Sequence, residues 1–278
     1  MVDTPATPPA AKPPIVELKN VTKRFAGNRL TDRIVAVEDI SLSIPDEEAG
    51  EFVALLGPSG CGKSTILNMI GGAMEPDDGT IRIFGKEFSG DDRFSATVSQ
   101  SYTCYPWLSV LGNVEFGLSM TGASAEDRRK IAMDCLTKVG LEDRAAARPK
   151  ELSGGMQQRV AIARTLAVKP PIVLMDEPFG ALDAQTRSEM QQMLLRIWTE
   201  ERNLIIFVTH DITEALLLAD RVLVFSPRPA RIIHDMKVPF ARPRGSSLCF
   251  EQEFVHLTQS LLELLKSHPN GGQVRVSL

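Results

Sequence analysis

The chain has 278 residues, 43% hydrophobic and 24% charged, proportions ordinary for a folded globular protein that exclude wholesale disorder. Lysine plus arginine number 31 against 35 acids, a net charge of −4, which disfavours a dedicated nucleic-acid binder. No apolar run comes near the roughly 18 residues that a membrane-spanning helix needs.

At roughly 150 residues per domain the length allows one large domain or two modest ones. Residues 1–14 hold Pro5, Pro8, Pro9, Pro13 and Pro14. Such a stretch buries little surface and is expected to be a disordered or polyproline-like tail. The N-terminus shows no basic start followed by an apolar core, so no secretory signal is expected. Cys61, Cys104, Cys135 and Cys249 are scattered and form no CxxC pair, which suggests neither zinc nor a disulfide framework. Reduced thiols and no signal point to the cytoplasm.

Three continuous apolar runs occur in chain order: residues 52–56 (FVALL), 172–175 (IVLM) and 204–208 (LIIFV). Unbroken runs of this length that stop at Gly or polar residues read as strands buried on both faces of a parallel sheet. A further strand is expected over 94–99. Helical patterns cover about 110–120, 125–139 and 154–168, and Met190, Leu194, Ile197 and Trp198 repeat at helical spacing. Strands alternating with helices predict an α/β domain. Beyond residue 246, Phe250, Phe254, Leu257, Leu261 and Leu264 predict an amphipathic helix. Packing on its own domain is favoured for it over a membrane or partner role.

The residues just past each run carry the chemistry. Gly57-Pro58-Ser59-Gly60-Cys61-Gly62-Lys63-Ser64-Thr65 fits G-x-x-x-x-G-K-[ST] between a strand and a helix. Its glycines let backbone N–H groups approach phosphate oxygens, and the helix N-terminus favours negative charge there. Lys63 adds a point charge for β- and γ-phosphates, and Ser64 a hydroxyl for Mg²⁺. Cys61 reads first as a small spacer in the loop; the alternative is a thiol whose pKa is lowered beside Lys63 and a helix N-terminus and which reacts with thiol reagents. Asp176 ends the second run, where a carboxylate holds the Mg²⁺ shell, and Glu177 is placed to orient or deprotonate an attacking water. His210 lies just past the third run and could reach the γ-phosphate or the water. In open parallel sheets ligands bind beyond the carboxyl ends of the strands, so these clusters are expected to meet at one sheet edge.

Leu152-Ser153-Gly154-Gly155-Met156-Gln157-Gln158-Arg159 opens a strongly helical run and forms a second anion-binding helix end. One nucleotide already has its cradle at 57–65. A second such end makes sense if it closes over the nucleotide of another copy, so that two chains sandwich two ATP molecules.

The run 152–164, LSGGMQQRVAIAR, resembles the signature of ABC transporter ATPase subunits, and the likeness extends over about 15–244. It implies an α/β, P-loop NTPase fold with a mixed sheet core and a helical subdomain inserted at about 101–168. The ATPase domain would be 15–245, followed by a C-terminal amphipathic helix and tail at 246–278. It further implies that Phe25 stacks on adenine and that Gln100 touches Mg²⁺ and links to a transmembrane partner. Ser153, Gly154 and Gly155 would bind the opposite subunit's γ-phosphate. Asp176 and Glu177 would be the metal-holding acid and the general base, Asp183 would cross the dimer interface, and His210 would sense the γ-phosphate.

A finer likeness, to the nitrate, sulfonate and taurine importer branch, lies in FGALD at 179–183, Met156, Tyr105-Pro106-Trp107, Ser226-Pro227-Arg228-Pro229 and Arg242-Pro243-Arg244. It implies an importer of small anions. Such a chain would sit peripherally on the cytoplasmic face of the inner membrane. Its partners would be a second copy, transmembrane permease subunits and, indirectly, a periplasmic or lipid-anchored solute-binding protein, with no nucleic acid. The arginines near the C-terminus also read as a solvated hairpin. The sequence departs from relatives at Ser99, where they usually carry an aromatic, at Ser101-Tyr102-Thr103-Cys104, and in a polar insertion over 27–33. An exporter ATPase is disfavoured by 179–183 and by the lack of a fused membrane domain. A soluble DNA-repair or translation ATPase is disfavoured by the lack of coiled-coil inserts, and a binder without turnover by Glu177 and His210.

Overall fold

The computed structural model describes residues 12–27, 33–46, 50–88, 94–100 and 104–268. Two sheets organise them. The larger has six strands, which lie side by side as β10 (Ile232–Lys237), β9 (Arg221–Phe225), β3 (Phe52–Leu56), β8 (Leu204–Thr209), β7 (Ile172–Asp176) and β6 (Ser95–Val98). Five of them run parallel, and β10 closes the edge antiparallel. The smaller sheet is antiparallel: β2 (Arg33–Ile44), β1 (Val16–Ala26), β4 (Asp78–Ile83) and β5 (Lys86–Glu87) in spatial order.

Burial explains why the predicted strands read as unbroken apolar runs. Successive side chains of a strand point to opposite faces. Phe52, Ala54 and Leu56 enter one core, while Val53 and Leu55 enter the other. The second core is closed by β1, β2, β4 and α1 (Lys63–Ile70). The first is closed by helices: α2 (Val110–Leu118), α3 (Ala125–Lys138), α4 (Gly154–Ala167), α5 (Ala184–Glu201) and α6 (Ile212–Leu218). Each fully buried Val, Leu or Phe contributes roughly 1.5–3 kcal/mol here.

The predicted helices form with ends shifted by a residue or two, and α2, α3 and α4 pack on one another between β6 and β7 in the chain. α7 (Gln252–Lys266) buries Phe254, Thr258, Leu261 and Leu265, its apolar side chains entering the first core. The inward stripe differs from the predicted one: Phe250 precedes the helix and is 79% exposed, and Leu257 and Leu264 are only partly buried. Among the described residues no helix is long and apolar enough to cross a membrane. Residues 1–11 of the expected tail, 28–32 of the insertion and 101–103 lie outside the described residues.

Candidate nucleotide site

Four adjacent parallel strands, β3, β8, β7 and β6, bring the predicted clusters side by side at their carboxyl ends. β3 runs into the loop 57–65 and then α1. Gly62 takes φ 130°, and a Cβ there would stand 2.6 Å from the Ala36 carbonyl oxygen, so glycine is required for the loop to close. Lys63 is 3% exposed, and its Nζ donates to the carbonyls of Gly57 at 2.8 Å and Pro58 at 2.9 Å. The ammonium therefore lies folded over its own loop, the place a phosphate would take. Gly57, Pro58 and Cys61 are buried, Ser59, Gly60 and Ser64 exposed, and Thr65 half-buried. The Gly60 carbonyl accepts a 3.0 Å bond from Arg228 Nη2.

For Cys61 the spacer reading fits and the reactive one does not. The thiol is 2% exposed, and burial pushes its pKa up more strongly than the neighbouring Lys63 pulls it down. Reactivity needs an accessible thiolate, and this thiol is buried.

Ser64 Oγ donates to Asp176 Oδ1 at 2.8 Å, so α1 and the end of β7 present two oxygens to one point. Burial raises the Asp176 pKa, and the Ser64 hydrogen bond opposes it. A cation beside that carboxylate would offset the cost of its charge. Hard oxygen donors in small number, completed by phosphates and water, suit Mg²⁺. Among the described residues no group of three or more His, Cys, Asp or Glu is placed to hold a metal. Gln100 lies two residues past β6, exposed, and Val98 pairs with Met175, so Gln100 lies beside the end of β7. Among the described residues it makes no hydrogen bond to Ser64 or Asp176.

Glu177 leaves β7 in left-handed backbone, φ 42°, pinned by its N–H to the Val208 carbonyl at 3.1 Å. Such a conformation is strained for a residue with a Cβ and is found where a site requires it. It aims the carboxylate at β8, where His210 Nδ1 meets Glu177 Oε2 at 3.0 Å. The hydrogen bond from His210 lowers the Glu177 pKa, and the same bond raises that of His210. Their attraction stabilises the fold while both are charged. It is lost as pH falls through the lowered carboxylate value, and again as pH rises through the raised imidazole value.

The second glycine motif has a structural role as well. Ser153 caps α4, accepting from the Met156 N–H at 3.3 Å, and Asp183 caps α5, accepting from the Thr186 N–H at 3.0 Å. That bond lowers the pKa of the exposed Asp183. A Cβ on Gly155 would lie 2.7 Å from Thr186 Cγ2, so its small size lets the two helix starts sit together. Gly154 is half-buried. Ser153 and Asp183 are both exposed, and among the described residues no hydrogen bond joins Ser153 to 57–65. Phe25 pairs with Ile34 across β1 and β2, and both are about two-fifths exposed, at 39% and 40%.

Of the C-terminal arginines, Arg228 is exposed in the turn between β9 and β10, whereas Arg242 and Arg244 are not part of a solvated hairpin. Arg242 donates to Asp220 at 2.7 Å, and Arg244, 9% exposed, donates to the Leu216 and Phe240 carbonyls. Thr209 falls in the polar cluster after the third run, but sequence reasoning gave it no role and missed Glu214 and Arg187; all three are buried, and no motif signalled the last two.

A family profile described as ABC transporter matches residues 37–180. An uncharacterized ABC transporter ATP-binding protein of Methanocaldococcus jannaschii is 45% identical over 251 residues, 90% of this chain and 91% of the relative. The taurine import ATP-binding protein TauB of Roseobacter denitrificans is 46% identical, covering 81% and 83%. The nitrate import ATP-binding protein NrtD of a Synechocystis species is 44% identical, covering 90% and 95%. An ATP-binding cassette solved as a dimer in a post-hydrolysis state, bound to ADP and Pi, superposes with a TM-score of 0.71. It shares 36% identity over 81% of this chain and the whole of that one. The chain belongs to the ABC transporter family. Within it, the fold is that of the ATP-binding cassette and the protein is an ATPase.

Proposed function

We propose that this chain is the ATP-hydrolysing subunit of an importer of small anions, acting as a dimer around two ATP and Mg²⁺ and driving separate transmembrane subunits. The observation that carries the catalytic part is the row of strand ends holding Lys63, His210, Glu177 and the Ser64–Asp176 pair. The importer part is supported by the taurine- and nitrate-import relatives.

Backbone N–H groups of 57–65 and the Lys63 ammonium bind the phosphates, Lys63 exchanging its two loop carbonyls for phosphate oxygens. Ser64 and Asp176 would hold Mg²⁺, with Gln100 as a further ligand. When bound, Mg²⁺ neutralises charge on the β- and γ-oxygens. Glu177 accepts the proton of the attacking water, and His210 fixes its carboxylate. Ser153, Gly154 and Gly155 of one copy close over the γ-phosphate held by the other, beside Asp183. Phe25 offers an exposed ring to the adenine. The ATPase domain spans 15–245, with α2, α3 and α4 as its helical subdomain, and Tyr105 and the 69% exposed Trp107 face the permease. The chain is held at the cytoplasmic face of the membrane through those subunits.

The test is reconstitution with candidate transmembrane permease and solute-binding subunits. ATP turnover is expected to rise several-fold when the binding protein carries nitrate, taurine or a related anion. Turnover indifferent to every loaded binding protein would contradict the importer reading.

A further inference from the structure

Behind His210, on the side away from the phosphates, lies a buried polar network that the hydrolytic assignment leaves unused. Thr209 Oγ1 donates to Glu214 Oε2 at 2.6 Å and accepts the Asp211 N–H at 3.0 Å. Asp211 Oδ1 accepts the Glu214 N–H at 3.1 Å. These three bonds close a ring that brackets His210 from both chain neighbours. The other oxygen of the carboxyl, Glu214 Oε1, accepts from Gln191 Nε2 of α5 at 3.1 Å. One turn earlier on the same face of α5, the buried Arg187 donates to the carbonyls of Phe179 at 3.4 Å and Leu182 at 2.7 Å. Arg187 thereby clamps the loop that leads from Glu177 to Asp183.

The contacts form a circuit. It runs from Glu177 along its loop to Arg187, up α5 to Gln191, across to Glu214, through Thr209 to His210, and back to Glu177 at 3.0 Å. We propose that Glu214 is a positioning residue for ATP hydrolysis, setting the place of His210 against Glu177 by tying the end of β8 to α5. This rests on the assignment of Glu177 and His210 above.

A carboxyl 6% exposed is a costly way to fill a core. Burial pushes its pKa up to about 7, against the Thr209 and Gln191 hydrogen bonds and the attraction of Arg187. Capping does not explain it, because Asp211 already caps α6. An apolar side chain of similar volume would serve packing alone with less penalty. What Glu214 adds is two directed bonds to two different elements: the end of β8, which carries His210, and α5, whose Arg187 holds the loop that follows Glu177. The two elements also differ in what they face: the end of β8 carries His210, whereas α5 begins at Asp183, on the surface shared with Ser153.

The test compares kcat and KM for ATP in Glu214→Ala, Glu214→Gln, Thr209→Val and Gln191→Ala, with Glu177→Gln alongside and melting temperatures for all. Glu214→Ala and Thr209→Val are expected to lower kcat about tenfold or more with KM changed less than about threefold, since a misplaced reacting group costs rate rather than binding. Gln191→Ala should show the same split more weakly. Glu214→Gln keeps an acceptor for Thr209, and the Gln191 amide can turn to meet its new N–H, so it should recover most of kcat. Should Glu214→Ala fail to fold, Thr209→Val and Gln191→Ala decide the question by the same split. Variants that melt earlier but turn over within about twofold of wild type would overturn the proposal. If Glu177→Gln loses turnover in that series, the base assignment stands and only Glu214 is excluded. If Glu177→Gln keeps turnover, the base assignment fails and the proposal with it.

Discussion

Glu177→Gln is expected to cut ATP turnover about a thousandfold, inside the roughly 10²–10⁴ range that a positioned base contributes. The substitution keeps volume and leaves an oxygen to accept from His210 Nδ1, so the 3.0 Å contact and the fold should survive. What is lost is the proton acceptor, which His210 now holds ionised below the usual carboxylate range. ATP then binds without being consumed. The protein should accumulate as a dimer with ATP and Mg²⁺ on size exclusion, while the wild type cycles back to monomer as it hydrolyses. A monomer with ordinary turnover would contradict the assignment of the base.

Lys63→Ala is expected to lose ATP binding by about a hundredfold or more. A hydrogen bond to a charged group is worth roughly 1.5–3 kcal/mol. Lys63 makes two hydrogen bonds to carbonyls that phosphate oxygens would replace, and about 1.4 kcal/mol corresponds to each tenfold in affinity. The same substitution frees the Gly57 and Pro58 carbonyls, so a melting curve must accompany the binding isotherm. A folded Lys63→Ala protein that binds ATP as the wild type does would contradict the phosphate assignment.

The parallel half of the fold was legible because β3, β7 and β8 are covered on both faces and therefore carry no polar residue until they end. Gly57 after β3, Asp176 at the end of β7 and His210 past β8 stand out for that reason, and the row of clusters is the consequence. The antiparallel half was not legible. β1 and β2 meet through several register irregularities, and their burial alternates irregularly, as in Arg33–Ile44. β9 was missed although RVLVF buries nearly as completely as the predicted runs, because its run opens on the charged Arg221. The reactive alternative for Cys61 arose because spacing shows its neighbours and not its burial. Glu214 and Arg187 belong to no motif. Their roles come from meeting across a long stretch of chain, through α5 and the end of β8, which only the packed structure displays.

Mixed dimers of Lys63→Ala and Ser153→Arg chains test the shared site most directly. Each variant alone has both of its sites broken. In a dimer with one chain of each, a site shared between chains leaves one unaltered Lys63 facing one unaltered Ser153, so ATP turnover should return on mixing. A chain carrying both substitutions, paired with a wild-type chain, should by contrast be inactive, since each of its two sites has lost one half. Silent Lys63→Ala/Ser153→Arg dimers, together with active dimers of the doubly substituted and wild-type chains, would mean that each chain holds its nucleotide alone.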